Sequence, residues 1–378
     1  MKIRLQGIKN FLICAITFVV RSARRVKSLR NSHGKVQVLI VATTGLGDSL
    51  MMTPAIRELK LAHPDLGIVL LVTRSSYQIF KDNPFVDGYF FFDKGRGFLG
   101  LVRSLLAQKI EYGVILHASD RLAWLACILS TDKTVAASWQ QIKVPLLLFH
   151  DVYQAPPREH RVVSHLRTIS NIFRIPDLSN TKMDVFFSED LREKLLKDYF
   201  CSEYGFAIGI VVGAKDRYKC WPIDKFRKLI VELNTRGQYR FVLLGSAHDF
   251  DLMTELVGVA ENVEIFEGDL HDVAAFISLL DLVISGDTGL MHLAEAVGAP
   301  VISLFAPTDF LETGPLSELS SGLALVKGVT CFPSDEFKIS RSQCFNKGCR
   351  RPVCMEYIHE STVVGKVLEY QYKGDRCF

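Results

Sequence analysis

The chain has 378 residues, nearly half of them apolar and about a quarter charged, with no low-complexity tract; this excludes a disordered or fibrous protein and exceeds the usual size of one core. The net charge of +4 is unevenly placed, because nine cations (Lys2, Arg4, Lys9, Arg21, Arg24, Arg25, Lys27, Arg30 and Lys35) precede the first acidic residue, Asp48, and leave the remainder at −5. The body of the protein therefore lacks the charge balance of a nucleic-acid binder.

The apolar run 11–20 would span only about 15 Å as a helix, roughly half of a hydrocarbon core, so a membrane-crossing helix is not expected. A secretory signal has a similar core, but here cations continue densely after it and no small-x-small cleavage site follows. The expected form of residues 1–35 is a helix lying on a membrane surface, apolar side down, with its cations toward anionic headgroups at up to about 1 kcal/mol each. The alternative is a basic amphipathic helix that packs on the protein itself.

Residues 36–41 form a β-branched run of the kind found in strands covered on both faces. Strands are expected at 36–41, 68–73, 88–93 and 112–117, with helical stretches at 98–108 and 121–129. Prolines 145, 156, 157 and 176 loosen the pattern over 143–177, and an interdomain region is placed between about 176 and 204. Alternation then resumes. Strands are expected at 207–212, 240–244, 263–266, 282–285 and 300–305, and helices at 223–234, 249–257, 272–280 and 288–297. This is an α/β chain of two Rossmann-like halves, whose ligands belong at the carboxyl ends of the strands.

Three loops at such ends carry candidate chemistry. The first is Thr43-Thr44-Gly45-Leu46-Gly47-Asp48-Ser49. Leu50 stands where a dinucleotide fingerprint needs its third glycine, and no Gly-Lys-Ser/Thr ending makes it a P-loop. Asp48 is placed either to accept a proton from a nucleophile or to cap the following helix. The second loop, from Gly213 to Pro222, carries Lys215, Arg217 and Lys219, cations that suit a diphosphate or are ordinary surface charge. The third is Gly286-Asp287-Thr288-Gly289-Leu290-Met291-His292, a strand-to-helix turn whose first amides lack partners and whose glycines let an anion approach. His292 and Glu295 lie on the helix side away from Leu293 and Ala294, facing either ligand or solvent.

Together, Gly-Leu-Gly-Asp-Ser, Lys-Cys-Trp-Pro and Ser-Gly-Asp-Thr-Gly-Leu-Met-His resemble, in order and spacing over residues 36–310, the lipopolysaccharide heptosyltransferases of glycosyltransferase family 9. The resemblance implies a GT-B fold, two Rossmann-like domains facing a central cleft. It divides the chain into a basic segment (1–35), an acceptor domain (36–185), a nucleotide-sugar donor domain (186–330) and a cysteine-containing tail with a final helix (331–378).

It also implies an inverting, metal-independent transfer of a sugar, most often heptose from ADP-heptose, onto a lipopolysaccharide core or related lipid-linked glycan. No cofactor is implied. Asp48 would be the general base, flanked by an acceptor-side loop of Thr44, Gly45, Gly47 and Ser49. Lys219 would contact the donor phosphate. Asp287, Thr288, Gly289, Leu290, Met291 and His292, with Gly213 and Lys215, would form the donor pocket.

Partners would be the nucleotide diphosphate sugar, the lipid-linked acceptor and the cytoplasmic face of the inner membrane through residues 1–30. A different nucleotide sugar, a nucleotide-sugar epimerase and a non-catalytic glycan-binding scaffold are the alternatives. Lys215, Asp216 and Arg217 depart from the small hydroxyl residues common at that place in the family.

Nine cysteines, several in apolar segments such as that around Cys127, indicate a reducing compartment. Cys331, Cys344, Cys349 and Cys354 could hold structural zinc, although their spacing is looser than in zinc ribbons. Residues 358–370 are expected to form a final helix that returns to the first domain, as is common in GT-B enzymes.

Overall fold

The computed structural model describes residues 14–24, 36–93, 97–140, 148–200, 205–306, 308–324 and 353–374. The chain divides into two compact units, Met1–Phe186 and Phe187–Phe378.

In unit 1, helix α1 (14–24) precedes β1 (Gln37–Ala42), α2 (Leu46–Leu50), α3 (Thr53–Ala62), β2 (Gly67–Val72), α4 (Arg74–Phe80) and β3 (Gly88–Phe91). There follow α5 (Phe98–Leu106), β4 (Ile110–His117), α6 (Asp120–Leu129), β5 (Lys133–Ala137), β6 (Asp151–Tyr153) and α7 (Arg161–Ser170). The sheet runs β3-β2-β1-β4-β5-β6, with every pairing parallel. Val38 through Ala42 are fully buried, as a central strand covered on both faces requires. Against one face lie Leu101 and Leu105 of α5 and Leu122, Leu125 and Leu129 of α6.

The stretch that its prolines marked as irregular holds β6 and α7. Helix α7 fits between Pro157 and Pro176 and buries Val162, His165, Leu166 and Ile169 on one stripe. His160 opens it, its Nδ1 accepting from Val162 N–H at 3.3 Å.

Unit 2 contains α8 (Glu189–Tyr199), β7 (Phe206–Val211), α9 (Ile223–Asn234), β8 (Tyr239–Leu244), α10 (Phe250–Val257), β9 (Val263–Ile265) and α11 (Leu270–Ile277). It continues through β10 (Leu282–Gly286), α12 (Gly289–Ala296), β11 (Val301–Phe305), α13 (Phe310–Thr313) and β12 (Ser321–Ala324) to α14 (Val353–Glu356) and α15 (Glu360–Gly374). Its sheet, β12-β11-β10-β7-β8-β9, is also wholly parallel. Numbered from its own first strand, each sheet has the order 3-2-1-4-5-6, so each reverses direction between its first and fourth strands. That reversal opens a crevice at the carboxyl ends of β1 and β4 in unit 1, and of β7 and β10 in unit 2.

One expectation about the ends of the chain is corrected. The final helix does not leave its unit: α15 packs on α9 and β11, and buries Val363, Val364 and Val367 in the unit 2 core beside Trp221 and Phe226. Trp221 Nε1 donates to the carbonyl of Ile358 at 3.0 Å, which fixes the approach to α15. The apolar stripe of the helix is thereby used inside unit 2. At the other end, α1 turns its polar side toward unit 1. Arg21 donates to the carbonyl of Cys127 and to Thr134 Oγ1 (2.6 Å), and Arg24 to the carbonyls of Leu106 (3.0 Å) and Gln108 (2.9 Å). These two of the nine N-terminal cations face the protein, not headgroups; the other seven lie outside the described residues. Among the described residues, no helix is long and apolar enough to cross a membrane.

Candidate active site

In unit 1 the crevice is flanked by the loop after β1 and the end of β4. Asp48 sits in the first turn of α2, whose N-cap is Gly45 and has no side-chain capping bond. Asp48 is therefore not spent as a cap. Its Oδ2 accepts from Thr44 Oγ1 at 2.9 Å and lies 3.9 Å from His117 Nδ1. Both side chains remain about two-fifths exposed, open to an incoming group. Ser49, in contrast, is fully buried, so its hydroxyl faces the interior and not the loop's outer side.

Sequence reading missed His117. It is the last residue of β4, paired with Ala42 at the end of β1, and only the strand order brings it beside Asp48. Behind this pair lies His165 of α7. Burial pushes its imidazole down to about 3; Asp48 pulls against that shift, while His117, Arg161 and His160 add to it. An unfolded chain takes up this proton near pH 6.5, whereas the folded chain refuses it until about pH 3. The stabilising contribution is present above pH 6.5 and lost as pH falls, by up to about 1.4 kcal/mol per pH unit. The unfolding temperature of wild type should therefore fall more between pH 7 and pH 5 than that of His165→Leu. Equal falls would remove His165 as the source.

In unit 2 the crevice is flanked by the loop after β7 and the turn after β10. Gly213 leaves β7 where a Cβ would lie 1.9 Å from Asp249 Oδ1, and Asp249 is itself held by the backbone and hydroxyl of Ser246 (2.9 and 2.7 Å). Only glycine fits there. The loop closes in a single helical turn, Arg217–Lys219, and Pro222 begins α9. Lys215 and Arg217 are exposed on the outside, whereas Lys219 turns inward. Its Nζ donates to Asp287 Oδ2 at 2.7 Å and Asp287 O at 3.4 Å. Gly286 permits this crossing, since a Cβ there would lie 3.0 Å from the carbonyl of Lys219.

Asp287 is almost completely buried. Burial pushes its carboxyl upward, but the ammonium of Lys219, the hydrogen bond from it and nearby His292 outweigh that and hold the carboxyl below its ordinary value. Thr288 caps α12, its Oγ1 accepting from Met291 N–H at 3.4 Å and standing 3.1 Å from Ser285 Oγ. The amides of Gly289 and Leu290, in the first turn, have no acceptor within the helix. An ammonium with a donor to spare and an open helix N-terminus thus stand together, an arrangement that favours phosphate oxygens.

Other residues of the turn are buried. Met291 is fully buried and His292 nearly so. Glu295 is not solvated either: its Oε1 accepts the amides of Leu316 and Ser317 (2.8 Å for Ser317), and burial pushes its carboxyl upward against their pull. It ties the chain after α13 to α12.

Among the described residues, no group of three or more His, Cys, Asp or Glu is arranged to hold a metal. The zinc reading of the tail lies outside the described residues for Cys331, Cys344 and Cys349; Cys354 is buried against the unit 2 core. Cys14, Cys127 and Cys220 are free thiols.

Two parallel sheets of identical order, each with polar groups gathered at its switch point, define a protein of two doubly wound α/β units, the architecture that binds ligands at such switch points. The model of the family described as "Glycosyltransferase family 9 (heptosyltransferase)" matches residues 98–335. Lipopolysaccharide heptosyltransferase 3 of Escherichia coli K12 is 26% identical over 302 residues, covering 72% of this chain and 83% of that protein. The crystal structure of a family 9 glycosyl transferase from Veillonella parvula superposes with a TM-score of 0.74 at 20% identity, over 89% of this chain and 97% of that one. An E. coli heptosyltransferase solved with ADP-2-deoxy-2-fluoro heptose superposes with a TM-score of 0.61 at 21% identity, over 82% and 98% of the two chains. The chain belongs to glycosyltransferase family 9, the heptosyltransferases, and is a glycosyltransferase. Its fold is that of the GT-B heptosyltransferases.

Proposed function

We propose that this chain transfers a heptose, with inversion, from ADP-heptose to a lipopolysaccharide core or related lipid-linked glycan. The observation that carries this reading is the distribution of groups over the two switch points: an accessible carboxylate in unit 1, and a cation with unpaired amides in unit 2. Unit 1 would receive the acceptor and unit 2 the donor. Asp48 takes the proton of the acceptor hydroxyl as its oxygen attacks the anomeric carbon. The bond from that carbon to the diphosphate breaks, and its electron pair passes to the phosphate oxygen. Lys219 and the amides of Gly289 and Leu290 neutralise the charge that develops there.

Asp287 does not meet the phosphate in this scheme; it holds the Lys219 ammonium in place. The heptose and the adenine nucleotide are inferred from the family and from the ligand in the E. coli neighbour. A thermal-unfolding series with ADP, UDP and GDP tests the donor. ADP at about a hundred times its Kd should stabilise the protein by about 2.7 kcal/mol, with smaller shifts from the other two. No shift with any nucleoside diphosphate would overturn the donor assignment.

A further inference from the structure

Helix α1 is amphipathic in the opposite sense from a helix that stabilises its own protein. Thr17, Arg21 and Arg24, at helical spacing, form its inward side. Thr17 is fully buried and accepts from Trp124 Nε1 at 3.0 Å, and the two guanidiniums reach the carbonyls and hydroxyl already described on α5, α6 and β5. The outward side carries Ile16, Phe18 and Val19, which are 48, 73 and 65% exposed.

Exposed apolar residues also stand on α5, whose last residue, Leu106, supplies a carbonyl to Arg24. Leu99 and Leu106 are i, i+7 on the outer side of α5, 76 and 41% exposed, with exposed Arg103 between them. Large apolar side chains left exposed on neighbouring helices mark a contact site.

Charge identifies the occupant. Lys2, Arg4 and Lys9 precede the helix in sequence, Arg25, Lys27, Arg30 and Lys35 follow it, and no acidic residue lies among them. Lysine is depleted where proteins bury surface against proteins, whereas cations around an exposed apolar helix face are the signature of binding to anionic lipid. We propose that the outward face of α1, with exposed Leu99 and Leu106 of neighbouring α5, inserts into the interfacial layer of an anionic membrane, while Arg21 and Arg24 clamp the helix to unit 1. This stands independently of the sugar-transfer reading. Insertion and clamping use opposite sides of one helix, so the enzyme body would be held directly against the lipid.

The full chain should co-sediment with vesicles of phosphatidylcholine containing about a third phosphatidylglycerol, and at least tenfold more weakly with phosphatidylcholine alone. The emission of Phe18→Trp should shift to the blue in the anionic vesicles and be quenched by brominated acyl chains. Phe18→Ser combined with Val19→Ser should reduce partitioning at least tenfold without changing the unfolding temperature. Three outcomes would overturn the proposal: no binding to anionic vesicles, sedimentation with unmoved Phe18→Trp emission, or a dimer in solution that the double variant dissociates. The last would make this face an interface between copies of the chain.

Discussion

Asp48→Asn should lower kcat by about 10²–10⁴, the usual contribution of a positioned general base, with ADP-induced stabilisation unchanged. Three features make this substitution informative. The amide oxygen of asparagine can still accept from Thr44 Oγ1, so the loop after β1 keeps its anchor. Gly45, not Asp48, caps α2, so the helix loses no capping bond. The proposed diphosphate seat, Lys219 and the first turn of α12, lies in unit 2, so the change leaves it intact. Only the capacity to take a proton disappears. Wild-type turnover in a rate assay would remove Asp48 from the role of base, and a parallel loss of ADP stabilisation would mean that the change acts through folding.

The parts of this fold that the sequence discloses are those in which local pattern and tertiary role coincide. The helix from Ile223 to Asn234 follows from Pro222 at its start and an apolar stripe of Phe226, Leu229, Ile230 and Leu233, all buried as that stripe requires. The runs of β1 and β10 announce buried parallel strands for the same reason.

What stays hidden depends on partners distant in sequence. Strand β6 is three residues long and draws its identity from pairing with β5. The stripe of α7 contains His165, a residue that reads as polar until burial strips its charge. At the site, the loop motifs place Asp48 and Lys219 at strand ends, but His117 joins Asp48 only because β4 pairs with β1. Likewise the sequence offers three loop cations alike. Only the crossing over Gly286 separates Lys219, turned in to Asp287, from exposed Lys215 and Arg217. The sense of α1 was hidden too, since an amphipathic pattern does not say which side meets the protein.

Lys219→Met should reduce kcat/KM for the donor by about 10²–10³, the loss that follows removal of one preorganised group that stabilises developing charge. It should also destabilise the protein, for a different reason. Asp287 is 8% exposed and its carboxylate is held ionised chiefly by this ammonium. Removing one partner of a buried pair leaves the other uncompensated, at a cost of about 3 kcal/mol. For a unit of this size that is a fall of about 6–12 °C in unfolding temperature.

The two losses separate in a double variant. Lys219→Met with Asp287→Asn carries no buried charge, so its unfolding temperature should return most of the way to wild type, while kcat/KM stays as low as in the single variant. Recovery of activity together with stability would mean that Lys219 acts only by neutralising Asp287. Recovery of stability alone separates the two roles: the carboxylate holds the ammonium, and the ammonium meets the leaving diphosphate.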